Sequence, residues 1–200
     1  MRRVAVHSRR RLLDDFFKVD ELMLDVEGDD GTQSPPLRRL VFERGDSVAA
    51  TVRHRESGDL LFTEQLRAPA IAKAGGWLVE VMAGMIEDGE SPEEALHREL
   101  LEELGYRVDA FEKIATFFVS PGGSSERIWL YHVEVSDNGR VSAGGGLASE
   151  REDIRIVRMR PDEARDALLQ RRWMDAKTII GLQWLLARTG WTSPVGPAQR

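Results

Sequence analysis

The run Gly84-Met-Ile-Glu-Asp-Gly-Glu90-Ser-Pro-Glu-Glu-Ala-Leu-His-Arg98-Glu99-Leu-Leu-Glu102-Glu103-Leu-Gly105-Tyr106 specifies a capped helix with an acidic side. Ser91 and Glu94 form an S-x-x-E capping box, Pro92 suits the first helical position, and Glu93 and Glu94 set negative charge against the positive end of the helix dipole. The helix is expected to begin near Ser91 and to stop at Gly105, which follows the last periodic leucine. Ala95, Leu96, Leu100, Leu101 and Leu104 recur at helical spacing and form its buried side. Glu99, Glu102 and Glu103 crowd another side, where like charges three or four residues apart repel. A divalent cation relieves that repulsion, and a carboxylate set suits Mg2+ or Mn2+ better than zinc. Arg98 can reach forward to Glu102 or back to Glu90. An isolated acidic helix face is more often simply solvated; here the glycines and the arginine fall at fixed places as well.

Written as G-x5-E-x7-R-E-L-x-E-E-x-G-Y, the run resembles the Nudix box of hydrolases that cleave a nucleoside diphosphate linked to another group. Tyr106 departs from the pattern, standing where the family usually has an aliphatic residue. Upstream, Leu61-Phe-Thr-Glu64-Gln65-Leu66-Arg67 and Trp77-Leu-Val-Glu80-Val-Met-Ala83-Gly84 are similar to segments of the ADP-ribose pyrophosphatase branch. So are Arg38-Arg39-Leu-Val-Phe-Glu-Arg44-Gly45, Ser120-Pro121-Gly122-Gly123-Ser-Ser-Glu126-Arg127, Glu150-Arg151-Glu152-Asp153-Ile154-Arg155 and Asp175-Ala-Lys-Thr-Ile-Ile-Gly-Leu-Gln-Trp184. The likeness extends over residues 12 to 188.

The resemblance implies that the Ala83 carbonyl and the carboxylates of Glu99, Glu103 and Glu152 hold Mg2+, with Mn2+ as a substitute, and that Glu102 and Arg98 lie in or beside that shell. It implies Glu150 as general base, with Glu152 or Glu102 as the next candidates. Arg39, Arg44 and Arg67 match substrate-contacting positions; Met85, Ser120 and Glu126 line the same pocket, and Phe16 and Phe17 help form the base site from a partner subunit. Guanidinium forks suit a diphosphate, whose two negative charges must be neutralised directionally. Outside this context Arg39 and Arg67 would read as surface arginines and the two phenylalanines as core or interface residues. The implied activity is hydrolysis of ADP-ribose to AMP and ribose 5-phosphate. A broader nucleoside-diphosphate-sugar hydrolase acting on GDP-mannose or a UDP-sugar is an alternative, as is a module that senses a nucleotide without turning it over. A pure sensor has no need of the Glu99, Glu102 and Glu103 set.

Composition fits a single enzyme domain with a small appendage. Two hundred residues suffice for a real core, and the formal charge of −6 argues against a nucleic-acid or anionic-membrane binder. Cysteine is absent, which excludes disulfides and thiol catalysis and fits a cytoplasmic location. His54, His97 and His132 form no expected ligand cluster. The expected division is a flexible basic tail over 1–11, a β subdomain over 12–45 that dimerises, a Nudix hydrolase domain over 46–190 and a flexible tail over 191–200. Apolar alternation places strands at 48–52, 60–66, 114–119, 128–135 and 154–159, with helices at 162–170 and 176–187. Residues 28–36 read as a hairpin loop, and the glycine run 144–146 as a mobile loop. The expected fold is an α/β/α sandwich around a mixed sheet, with a small N-terminal antiparallel sheet and a homodimeric assembly.

Overall fold

Alternating apolar residues build the strands that the periodicity predicts, and a computed structural model describes them over residues 2–147, 149 and 152–189. In chain order the elements are β1 (Val4–Asp14), β2 (Lys18–Val26), β3 (Leu37–Glu43), β4 (Ser47–His54), β5 (Leu60–Leu66), the one-turn helix α1 (Ile71–Ala74), β6 (Trp77–Glu80) and β7 (Met82–Met85). They continue with α2 (Pro92–Glu99), a π-helical turn (Leu100–Leu104), β8 (Phe111–Phe118), β9 (Arg127–Val135), β10 (Arg155–Met159), α3 (Pro161–Leu169) and α4 (Ala176–Thr189). The chain divides into two units, Val48–Thr116 with Trp129–Arg200, and Met1–Ser47 with Phe117–Ile128.

In the larger unit β10, β5, β4, β9 and β8 lie side by side, with β6 on β5 and β7 on β4, making a seven-stranded mixed sheet. Side chains of a strand alternate between faces. Val48, Ala50 and Val52 of β4, with Tyr131, Val133 and Val135 of β9, therefore share one face, and they pack on Ala95, Leu96, Leu100 and Leu104. Each buried leucine there contributes roughly 2 kcal/mol of hydrophobic stabilisation. Thr51 and His132 point the other way, to α4, where Gly181 lies so close to Thr51 that a Cβ would overlap its methyl. The His132 and Trp184 rings are 5.3 Å apart. Helices cover both faces, which gives the expected α/β/α sandwich. Among the described residues no helix is long and apolar enough to cross a membrane.

The smaller unit holds the antiparallel sheet β1-β2-β3. Residues expected as a basic tail form most of β1 instead. The reason is charge on the neighbouring strands: Arg9 and Arg11 both donate to the buried Asp20, while Arg10 and Arg38 meet Glu21. The loop between β2 and β3 turns at Gly31, whose φ of 79° only glycine adopts readily. Residues 191–200, expected as a second tail, lie outside the described residues.

Candidate active site

The helix carrying the carboxylates starts as its sequence requires. Ser91 Oγ accepts from Glu94 N at 3.2 Å and Glu94 Oε2 accepts from Ser91 N at 2.8 Å, closing the capping box. What the periodicity did not announce is the widening of the helix into a π turn directly after Glu99. Such turns displace the side chains that follow from regular α spacing, and here the turn carries Glu102 and Glu103. It closes at Gly105, left-handed at φ 80°. Tyr106, the departure from the motif, is buried in the core, and its hydroxyl accepts from Arg158 Nη2 at 3.4 Å.

Three further residues seat the carboxylates. Gly84 leaves room for the Glu99 carboxylate, which a Cβ there would displace. Ala83 N donates to Glu103 Oε2 at 3.4 Å. Arg98 performs both of its expected reaches at once: Nε and Nη2 donate to Glu90 at 3.0 and 2.9 Å, Nη1 donates to Glu99 at 2.7 Å and to Glu102 at 3.2 Å, and Nη2 also meets the Met85 carbonyl at 2.8 Å. Arg98 thus ties the strand end at Met85 to the acidic side of the helix.

Glu103 is 2% exposed, and burial holds its pKa well above the carboxylate range; the charges of Glu99 and Glu152 push the same way, against Arg67 and the Ala83 N–H. Burial raises Glu99 from 4.5 to about 7, with Arg98 opposing and Glu102 and Glu152 reinforcing. Carboxylates that are buried and mutually repelling, with Arg98 on Glu99 and Glu102 but no hydrogen-bonded protein cation on Glu103 among the described residues, form the donor set a hard divalent cation fits. A pH dependence follows. Between pH 4.5 and about 7 the folded chain keeps a proton on Glu99 that the unfolded chain has lost, so stability falls as pH rises through that window. In EDTA, thermal unfolding of Glu99→Gln should show a flatter decline over this window than the unsubstituted chain, by roughly 3 kcal/mol at its upper end. Parallel curves would contradict the assignment.

Gly144, Gly145 and Gly146, expected as a mobile loop by composition, have a more specific use. All three have positive φ, between 70° and 103°. Gly145 N and Gly146 N donate to the carbonyls of Glu103 and Glu102 at 2.8 and 3.0 Å, and a Cβ on Gly144 would collide with that backbone. The glycines therefore permit backbone approach to the end of the carboxylate helix. Leu147 N then donates to Glu152 Oε2 at 3.1 Å, and Glu152 acts electrostatically on both Glu99 and Glu103. Glu150 lies outside the described residues.

The smaller unit contains the other expected site residues. Phe16 and Phe17 occupy the turn between β1 and β2 with ring centroids 4.9 Å apart, and Phe16 is 76% exposed. Arg39, on β3, is exposed and donates only to the Arg38 carbonyl among the described residues. Arg44 Nη1 sits 3.5 Å from Glu126 Oε2, Ser47 Oγ donates to Glu126 Oε1 at 2.9 Å, and the buried Arg44 Nε has no hydrogen-bond partner among the described residues. Ser120 is exposed and its carbonyl closes the turn at Gly123 and Ser124.

The NUDIX domain model matches residues 43–185. The chain belongs to the NUDIX family. A GDP-mannose pyrophosphatase of Cronobacter sakazakii is 34% identical over 179 residues, 88% of this chain and 92% of that protein. An ADP-ribose pyrophosphatase of Escherichia coli is 34% identical over 183 residues, 91% of this chain and 87% of that one. A solved ADP compounds hydrolase superposes with a TM-score of 0.68 at 18% identity, covering 94% of this chain and 97% of its own, which speaks to the fold. The chain is a Nudix hydrolase, of an enzyme class acting on pyrophosphate bonds, and such hydrolases are in general divalent-metal dependent.

Two other features of this Nudix chain stand apart from the box. His54, Glu56 and Asp137 place ligand atoms within 4.8 Å of one another, a grouping the sequence did not suggest, and it includes no box carboxylate. Ser57 N donates to His54 Nδ1 at 3.4 Å, while the buried Nε2 lies 3.2 Å from Asp137 Oδ1 and makes no hydrogen bond among the described residues. A cavity of about 700 Å³ opens on the α4 face, lined by Arg53, Arg55, His132, Trp184 and Arg188. Its three arginines share two carboxylates, Arg53 and Arg55 meeting Glu134 and Arg188 meeting Glu112, so each guanidinium is already engaged. The buried charges around Glu80 also went unread, because the only sequence signal was an acid inside an apolar run.

Proposed function

We propose that this Nudix hydrolase cleaves the diphosphate bond of ADP-ribose, giving AMP and ribose 5-phosphate, with Mg2+ as its metal, as a cytoplasmic homodimer. The observation that carries the reading is the buried, charge-frustrated pair Glu99 and Glu103 beside Glu152. Relatives named for ADP-ribose and for GDP-mannose match over most of the chain, which supports a nucleoside diphosphate sugar as substrate class. Exposed Val4, Val6, Leu12, Leu13 and Leu40 on the N-terminal sheet support a partner subunit there, and a chain without cysteine suits a reducing compartment.

Glu99, Glu103, Glu152 and the Ala83 carbonyl would hold the cation. When bound, it supplies Lewis-acid stabilisation of charge on the diphosphate oxygens. The residues do the rest. Arg98 keeps Glu99 and Glu102 in place, Arg67, Arg39 and Arg44 neutralise and orient the diphosphate, and Phe16 and Phe17 stack on the base. Met85, Ser120 and Glu126 shape the pocket, and Glu150 accepts the proton of the attacking water, with Glu152 or Glu102 as its replacement.

Product analysis tests this with ADP-ribose, GDP-mannose, UDP-glucose and diadenosine polyphosphates in Mg2+. ADP-ribose should give the highest kcat/KM, yielding AMP, and EDTA should abolish turnover while leaving circular dichroism unchanged. A higher kcat/KM for GDP-mannose would move the base specificity, and binding without turnover of any of them would return the sensor reading.

A further inference from the structure

The segment Asp175-Ala-Lys177-Thr178 opens α4 and takes no part in the carboxylate cluster, yet it is wired to Arg67. Glu80, at the end of β6, is 2% exposed and carries one cation on each oxygen: Arg67 Nε at 2.5 Å on Oε1 and Lys177 Nζ at 2.8 Å on Oε2. Lys177 also donates to Asp175 Oδ1 at 2.7 Å. The other Asp175 oxygen accepts from Thr178 N at 2.9 Å and Thr178 Oγ1 at 2.7 Å. Thr178 Oγ1 in turn accepts from Val81 N at 2.9 Å, fixing the start of α4 to the backbone between Glu80 and Ala83. Burial works against the charge on Lys177, but Glu80 and Asp175 outweigh it and leave the ammonium more firmly protonated than usual.

Arg67 differs from its partners. Its side chain is 37% exposed, only Nε is engaged, and among the described residues its Nη groups donate no hydrogen bond. Its positive charge reaches Glu103. The guanidinium is therefore anchored at Nε and open at its Nη groups, with its charge felt at Glu103.

We propose that Lys177 is a positioning residue for Arg67. This rests on the reading of Arg67 as a diphosphate ligand. A buried carboxylate with a single cation grips it, since release leaves the charge unpaired. With Lys177 on Oε2, Glu80 needs only Nε of Arg67, and the Nη edge remains free for a phosphate fork. Without Lys177, Oε2 is left to draw the same guanidinium into a bidentate pair, turning it from the substrate.

The test is a double-mutant cycle on KM and kcat with ADP-ribose and Mg2+. Lys177→Met should raise KM about tenfold with kcat within about threefold, the pattern of lost substrate binding. In an Arg67→Met background the same substitution should leave KM unchanged, because the group through which Lys177 acts is gone. A purely structural lysine would show equal effects in both backgrounds, and that result, or an unchanged KM in the single variant, overturns the proposal while leaving the Arg67 reading intact. If Arg67→Met itself leaves KM unchanged, the Arg67 reading falls and the Lys177 proposal with it. Should Lys177→Met fail to fold, Lys177→Gln serves in the same cycle: it keeps a donor near Glu80 Oε2 but not the cation, and should raise KM only where Arg67 is present.

Discussion

Glu103→Gln should lower kcat by about three orders of magnitude, the scale expected when a metal-dependent reaction loses a charged ligand. The substitution keeps the shape of the side chain and its acceptor for Ala83 N. Stability should not follow activity. In EDTA the unsubstituted chain must bury a carboxylate whose ionisation is opposed by desolvation and by Glu99 and Glu152, so a neutral amide should leave Tm equal or higher. Adding Mg2+ should raise Tm of the unsubstituted chain, because a ligand that binds only the folded state stabilises it, and should raise that of the variant much less. Activity within about threefold of the unsubstituted enzyme would remove Glu103 from the metal site, since loss of a charged ligand is not so mild.

The parts of this site that were legible in the sequence are those specified within one or two turns of chain. The capping box at Ser91 and Glu94, the stop at Gly105 and the reach of Arg98 to both Glu90 and Glu102 depend on spacing alone, and the structure has each of them. The arginine run before Leu12 was misread because its order comes from Asp20 and Glu21 on another strand, which no local pattern reveals. The strands β6 and β7 were not expected at all, since Trp77 to Met85 is a short apolar run, interrupted only by Glu80 and Gly84, without a clear alternation. The π turn is equally silent: leucines at 100, 101 and 104 suit an α or a π register. The glycines at 144–146 carried a true signal with an incomplete interpretation. Composition reads freedom, whereas positive φ and contact with the carbonyls of Glu102 and Glu103 require the same residue for a fixed close approach.

Arg98→Met should have the largest effect on stability, about 2 to 3 kcal/mol, the scale of lost hydrogen bonds to charged groups and below that of a fully buried ion pair. Its guanidinium, 25% exposed, is the cation on Glu90, Glu99 and Glu102 together, and it also donates to the Met85 carbonyl. Methionine fills the volume but leaves three carboxylates to repel one another. Arg98→Lys should fall between, because an ammonium group can serve Glu90 or Glu99 but has no planar fork to span both. The pH dependence separates this from loss of packing. Glu99 ionises at about 7, so below that value it is neutral and needs Arg98 less. The Tm deficit of Arg98→Met in EDTA should accordingly be smaller at pH 5 than at pH 8, whereas a packing defect would be the same at both. Mg2+ should recover part of the deficit at pH 8, since a cation among these carboxylates relieves the repulsion that the arginine no longer does; a deficit indifferent to both pH and Mg2+ would make Arg98 a structural residue alone.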